Sequence, residues 1–215
     1  MSAGLVLSIE YPQVQKGAYL SLVRARYISA SAHIKHMEQK HIPGLGKEPI
    51  LNAIQKFDDL KKMPFISEDE PLLALFDSLQ PSSSDDILGK WRGGGFATGH
   101  WLLSALADMR WHGKWFVSER DVKPLICFND DDSLYSNLAL NGEASLRMMS
   151  FRDRVSASIV YDGVPVFGHL RRIDESTLLG IVDGKTLLGR EIVDAGRHQI
   201  FYLERVEEWG YPLMS

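Results

Sequence analysis

The sequence predicts a mainly β protein: an antiparallel up-and-down barrel of about eight or nine strands that follows an N-terminal helical extension. Three observations carry this prediction. Apolar residues in the first third of the chain recur at helical spacing, and a Pro- and Ser-rich linker follows. Beyond the linker, apolar and polar residues alternate, with turn signals roughly ten residues apart. Such regular turns indicate a meander in which each strand pairs with the next.

The helical extension is predicted over residues 1–74, and the barrel domain over residues 75–215. One helix runs from Lys16 to Lys40, where Pro43-Gly44 ends it, and a second runs from Pro49 to Lys62. A short helix from Leu72 to Leu79 leads into the linker. We expect the extension to serve as a lid or a docking element, with a homodimer through these helices as one possibility.

Nine strands are predicted in the barrel domain. The clearest alternation lies between Arg154 and Asp162, where Val155, Ala157, Ile159 and Tyr161 point to one face. Asp162-Gly163 and Asp183-Gly184 are strong hairpin signals. The predicted strands are Gly89–Gly95, Met109–Ser118, Lys123–Phe128, Ser133–Leu138, Ser145–Phe151, Arg154–Asp162, Val164–Ile173, Thr177–Val182 and His198–Val206.

The most distinctive segment is Gly89-Lys90-Trp91-Arg92-Gly93-Gly94-Gly95-Phe96, a GxWxGxG pattern. Glycine permits sharp bends and close backbone approach, and a tryptophan among glycines is a large apolar plug with one N–H to satisfy. We therefore expect Trp91 to seal one end of the barrel. The guanidinium of Arg147 is expected to stack on its indole.

Composition and charge exclude several classes of protein. The net charge of -4 provides no basic face for nucleic acid, and the single cysteine excludes an internal disulfide and a multi-cysteine zinc site. Cys127 is expected to be a buried strand thiol. The N-terminus does not resemble a secretory signal, and no apolar run has the length of a membrane span. These features predict a cytoplasmic protein.

Several motifs in the second part of the chain resemble the GXWXG domain and its companion domain of unknown function. They are Leu75–Leu79, Gly89–His100, Leu146–Arg152, Val155–Ala157, Ile159–Val166, His169–Asp174 and Phe201–Arg205. The resemblance covers residues 75–206 and implies a lipocalin-like (calycin) barrel. The chain departs from the family pattern in two places. Thr186–Glu191 replaces a longer aromatic loop, and residues 1–70 lie outside the family core.

Two histidines are candidates for chemistry. His169 and Arg171 share one strand face near Asp162, so they could form an acid–base and anion-holding group inside the barrel. The opposite orientation, with both side chains solvated, is equally compatible with the alternation. His100 follows the glycine-rich bend and could lie at the rim or floor of the barrel. It could equally cap a short helix at Leu102–Asp108.

Aromatic and sulfur-containing side chains are expected to form the wall of a ligand pocket. The candidates are Tyr161, Trp111, Trp115, Met149 and Phe167. Core packing is the commoner role of such residues. Histidines at HxxH spacing (His33, His36, and nearby His41) lack a carboxylate or cysteine at a familiar distance, so no metal site is predicted.

Three functions from different classes fit these features. The first is a cofactor-independent isomerase or cyclase that acts by acid–base catalysis on a hydrophobic substrate of terpenoid or polyketide type. The second is a carrier or sensor of an apolar molecule. The third is a haem-binding barrel, because the GxWxGxG pattern also resembles the opening motif of nitrobindins. His198 or His169 would then ligate the iron.

Overall fold

A computed structural model describes residues 47–214. The predicted helix from Lys16 to Lys40, and with it the histidines of the HxxH pattern, lies outside the described residues. The described part begins with α1 (Lys47–Lys62) and α2 (Glu70–Ser78), and a third helix, α3 (Trp101–Asp108), follows the first long strand. All three agree with the predicted positions. None of the helices in residues 47–214 is both long and apolar enough to cross a membrane.

Twelve strands follow the order of the chain, and their positions confirm the predicted meander. They are β1 (Gln80–Pro81), β2 (Gly89–Gly95), β3 (Trp111–Ser118), β4 (Asp121–Phe128), β5 (Leu134–Ser136), β6 (Ala144–Phe151), β7 (Arg154–Tyr161), β8 (Val166–Asp174), β9 (Thr177–Gly184), β10 (Thr186–Leu187), β11 (Arg190–Glu191) and β12 (Ile200–Val206). The short strands β10 and β11 form a separate hairpin.

Eight antiparallel strands close into a ring in the order β2-β3-β4-β6-β7-β8-β9-β12, and β12 pairs with β2 to complete it. Neighbours in the ring are mostly neighbours in the chain, as the closely spaced turn signals predict. The β4–β6 pairing is the shortest, and β5 pairs with β4 beyond it. The chain therefore forms the expected barrel, with all eight strands paired on both sides.

The barrel has two apolar layers, one inside and one on its outer wall. Strand β9 contributes to both, because Leu178 and Val182 belong to the interior core whereas Leu179 and Ile181 pack outside. Helices α1 and α2 cover this outer wall. On α1, Phe57 meets the ring of Tyr202 edge-on at 5.4 Å. These two helices therefore lie against the side of the barrel and leave its mouth to other segments.

Trp91 is buried in the interior core of the barrel, and its expected role as the plug of one end stays a prediction. Its side chain is 1% exposed, and its indole N–H donates to the carbonyl of Ile87 at 2.8 Å. The cation over its ring belongs to Arg205, whose guanidinium carbon lies 4.2 Å from the ring centroid. Arg147 is exposed and donates to backbone carbonyls, so the predicted Arg147–Trp91 stacking is wrong. Arg205 takes this place because β12 pairs it with Trp91.

Candidate functional site

A small chamber lies inside the barrel and is lined in part by α3. Its closed volume is about 30 Å³. Aliphatic side chains from α3, β9 and β10 form one part of its wall: Leu102, Leu106, Val182 and Leu187. Three aromatic rings and two polar side chains also line it: Trp111, Tyr161, Phe201, Lys114 and Gln199. The chamber is thus apolar overall, with its polar groups few and specific, which is the usual composition of a ligand site.

Lys114 is the unusual member of this wall. It is 3% exposed, and its ammonium group donates to the carbonyl of Pro124 at 3.0 Å and to the hydroxyl of Tyr161 at 3.1 Å. In the described part of the chain, no carboxylate forms a salt bridge with it. A buried charge without an opposite charge is costly, and natural cores rarely contain one without a use.

Three aromatic rings surround the ammonium group of Lys114. Its nitrogen lies 5.1 Å from the ring centroid of Trp111, 5.7 Å from that of Tyr161 and 5.2 Å from that of Phe201. The faces of these rings are electron-rich and partly replace the lost hydration of the cation. We refer to these three residues as the aromatic box.

Glycines provide the space for two walls of the aromatic box. A Cβ atom on Gly93 would overlap the indole of Trp111, and one on Gly180 would overlap the ring of Phe201. Each ring occupies the space over the neighbouring strand only because that strand carries no side chain there. Gly93 of the GxWxGxG motif therefore leaves the space that a ring of the chamber wall occupies.

Two irregularities of the β3–β4 pairing bring Trp111 and Lys114 to the same interior face. Residues three apart on a regular strand point to opposite faces. Here β3 carries one more residue than β4 between Trp111 and Gly113. This extra residue reverses the face to which the Trp111 side chain points. In the following step β4 carries the extra residue, and the Pro124 carbonyl turns to accept from Lys114.

Gln199 adds an unused hydrogen-bond acceptor to the chamber. Its side chain is fully buried, and its amide nitrogen donates to the carbonyl of Ile200 at 3.1 Å. The amide oxygen has no hydrogen-bond partner among residues 47–214. A buried acceptor without a donor costs free energy until a ligand or water supplies one.

Helix α3 closes the mouth, and two side chains fasten it to the strand segment opposite. His100 caps the helix by accepting from the backbone N–H of Leu102 at 3.2 Å, and its other ring nitrogen lies 3.0 Å from the carbonyl of Ile192. The indole N–H of Trp101 donates to the carbonyl of Glu191 at 3.0 Å. Burial lowers the pKa of His100, which favours the neutral ring that this pair of contacts requires.

His100 lies at the rim, one of the two positions expected, and it acts as the helix cap. Both of its ring nitrogens are engaged with the backbone. It does not line the chamber. Its position makes it a fastener of α3 and leaves no free nitrogen for proton transfer to a ligand.

The expectation that His169 and Arg171 point into the barrel is wrong. Both lie on the outer face of β8, and both are buried there. The guanidinium of Arg171 donates to the carbonyl of Phe76 on α2 at 2.9 Å. The ring of His169 stacks on Phe151 with 3.9 Å between centroids. The interior face of this strand is formed instead by Val166 and Leu170.

His169 does take part in a Ser–His–Asp sequence of contacts, but not with Asp162. The Ser158 hydroxyl lies 2.8 Å from one ring nitrogen, and the Asp183 carboxylate lies 3.8 Å from the other. Asp162 is exposed at the turn before β8. Because Ser158 is completely buried, no substrate reaches its hydroxyl, and the contacts tie β7, β8 and β9 together on the outer wall.

Two of the five predicted wall residues line the chamber: Trp111 and Tyr161. Trp115 lies on the outer face, packed against the core that contains Trp209. Met149 is also on the outer face, since it pairs with Ser156, and Phe167 lies beside His169. Period-two alternation separates the faces but does not identify the interior one, so the choice of face was the error.

The remaining predicted side chains do not contribute to the chamber. Cys127 is a buried interior thiol whose pKa is raised by burial, as expected for a structural cysteine. Neither His198 nor His169 lines the chamber, so the histidines proposed for haem do not fit that group there. Within residues 47–214, no cluster of three or more His, Cys, Asp or Glu side chains could hold a metal ion.

The residues that the sequence reasoning missed are Lys114, Gln199, Phe201 and the leucines of α3. A signal for Lys114 existed. It lies two residues before Phe116, and the pairing of β2 with β3 places it opposite Trp91, so all three share one face. Gln199 gave no comparable signal, because it precedes β12 in an irregular segment.

Comparisons with known proteins agree with the barrel fold. Residues 74–132 match the family described as GXWXG protein, and residues 142–205 match a domain of unknown function, DUF4334. A protein of known structure from Thermomonospora curvata is 33% identical to this chain, and the alignment covers 72% of this chain and 99% of that one, with a TM-score of 0.63. The search of curated proteins found no match.

Proposed function

The chain belongs to the family that joins a GXWXG segment to the DUF4334 domain, and we propose that it binds a small apolar molecule in the chamber beneath α3. The observation that carries the proposal is the composition of that chamber. Leucines, two valines and three aromatic rings surround a few buried polar groups. A carrier or a sensor of an apolar molecule requires such a site and nothing more.

The absence of a proton acceptor favours binding over acid–base catalysis. The hydrogen-bonding groups that line the chamber in the described residues are Lys114, Tyr161 and Gln199, with no carboxylate and no histidine. An isomerase or cyclase needs a group that removes a proton as well as one that holds the resulting oxyanion. The residues predicted for that role, His169, Arg171 and Asp162, do not line the chamber. Catalysis stays a prediction, and none of the predicted catalytic residues lies in the chamber to support it.

The size of the ligand follows from what closes the mouth. At about 30 Å³, the closed chamber has room for little more than water. Leu102, Leu106 and Leu187 reach into it from α3 and from the hairpin beside it. Because protein interiors are close-packed, displacement of two or three leucine side chains makes room for about 8–12 carbon atoms. Binding therefore requires α3 to move outward.

Calorimetric titration with 1-octanol tests this proposal. We expect the wild-type protein to bind it, and Val182→Phe to weaken binding at least about tenfold, because the larger ring fills the chamber. Val155→Phe is the matched control, since Val155 is 55% exposed on the barrel surface. Thermal unfolding of both variants establishes that they are folded. Lack of binding to the wild type, or equal binding by Val182→Phe, would contradict the proposal.

A further inference from the structure

The ammonium group of Lys114 has more hydrogen-bonding capacity than the protein uses. A lysine ammonium carries three N–H donors. Two acceptors face it, the Pro124 carbonyl and the Tyr161 hydroxyl. The third donor has no protein acceptor in residues 47–214, and the group lines the chamber. One N–H bond of a buried cation is thus available to a molecule inside the barrel.

Tyr161 supplies a second donor beside the first. Its hydroxyl oxygen accepts from Lys114, since a charged ammonium has no lone pair to accept with. The phenolic proton is not used in any hydrogen bond of the described residues. The Lys114 nitrogen and the Tyr161 oxygen are 3.1 Å apart, so this O–H and the free N–H lie next to each other.

We propose that the ligand carries a single carboxylate, which accepts from Lys114 and Tyr161 while its apolar part lies against the leucines of the mouth. The inference deepens the proposed function and rests on it. A carboxylate has two oxygens and one negative charge, which matches two adjacent donors and one cation. The described lining residues contain one cation, so a dianionic group would be left with unneutralised charge.

The aromatic box explains how the empty chamber tolerates the cation. The rings of Trp111, Tyr161 and Phe201 lie 5.1–5.7 Å from its nitrogen and hold it in the absence of a ligand. They also fix its position, so little side-chain entropy is lost when the carboxylate binds. Gln199 offers its unpaired amide oxygen to a hydroxyl or N–H elsewhere on the ligand.

A pair of probes that differ only in the head group tests the proposal. Octanoate and 1-octanol have the same chain, and only octanoate carries a charge. We expect calorimetry to give at least about tenfold tighter binding of octanoate to the wild-type protein. Lys114→Met should remove this preference, because it should weaken the binding of octanoate at least tenfold and leave the binding of 1-octanol unchanged.

Two further variants make the result independent of the folding of Lys114→Met. Tyr161→Phe keeps the ring and removes the second donor. We expect it to lower the affinity for octanoate several-fold and to leave the affinity for 1-octanol unchanged. Lys90→Met removes a lysine that pairs with Glu208 at 2.6 Å on the barrel surface, so it changes the net charge equally and should leave the preference intact.

The outcomes separate the two proposals. Binding of both probes with equal affinity by the wild type, or an unchanged preference in Lys114→Met and Tyr161→Phe, would overturn the carboxylate proposal and leave the proposed function standing. Binding of neither probe by the wild type would overturn both.

Discussion

The ammonium nitrogen of Lys114 lies 3.1 Å from the hydroxyl oxygen of Tyr161, inside a barrel wall that is otherwise largely apolar. Their strands, β3 and β7, are not neighbours in the ring. The hydrogen bond therefore crosses the interior of the barrel. It concentrates the polar groups of the chamber at one point and leaves the remaining wall to leucine, valine and aromatic side chains.

The contact between Gly93 and Trp111 predicts a specific effect of adding one methyl group. Gly93→Ala places a Cβ atom where the indole lies, so the ring must move. We expect urea unfolding to give a loss of about 1–3 kcal/mol, together with weaker 1-octanol binding. Gly168→Ala is the control, since its Cβ would meet only Ile159, at 3.3 Å. Equal stability of Gly93→Ala and wild type would refute the steric account.

Trp91 should be sensitive to truncation, as expected of a plug at one end of the barrel. Trp91→Ala removes a buried side chain and is expected to lower the free energy of unfolding by about 3–5 kcal/mol. Trp91→Phe retains most of the apolar volume but loses the N–H bond to Ile87, so its loss should be smaller. Denaturant unfolding measures both variants, and an unchanged stability of Trp91→Ala would exclude its role as a plug.

His169→Ala should affect stability and leave the chamber intact. The substitution removes the stacking on Phe151 and leaves the Ser158 hydroxyl without its ring partner. A loss of about 2–4 kcal/mol is expected from such a buried truncation. Calorimetry with 1-octanol should give wild-type affinity, because the ring lies on the outer face. A fully stable variant that no longer binds would restore His169 to the ligand site.

His100 should contribute to the pH dependence of stability. Burial lowers its pKa from the ordinary value of 6.5, so the unfolded chain takes up the proton first as the pH falls. The free energy of unfolding should therefore decrease as the pH falls through about 6.5 toward the lowered pKa. Burial lowers the pKa of His112 and His169 in the same direction.

His100→Asn tests this contribution, because asparagine also caps helices but does not titrate. Urea unfolding at about pH 7.5 and about pH 5.5 should give a smaller difference for the variant than for the wild type. His112 and His169 would account for the difference that remains. An unchanged difference would mean that His100 does not titrate in this range.

Most strands were predictable because glycine or aspartate marks the turns that follow them, and because pairing between consecutive strands requires no long-range information. Trp91 was predictable for a related reason, since a large ring among glycines has few places to pack. The short helix α3 followed from its apolar run after His100.

The face of each strand was harder to predict. On β8, His169 and Arg171 are buried as fully as the interior residues although they lie on the outer face, where Arg171 contacts α2. A strand buried on both faces has no alternation that identifies the interior. On β3, the extra residue reverses the periodicity within four positions, so strict alternation would place Trp111 and Lys114 on opposite faces.

The most direct test of the central claim is an NMR measurement of nuclear Overhauser effects between carbon-13-labelled octanoate and the protein. The account predicts effects from the carbon next to the carboxylate to the ring protons of Trp111, Tyr161 and Phe201, and from the chain end to the methyl groups of Leu102 and Leu106. Effects confined to exposed residues that do not line the chamber, such as Met148 and Val155, would contradict it.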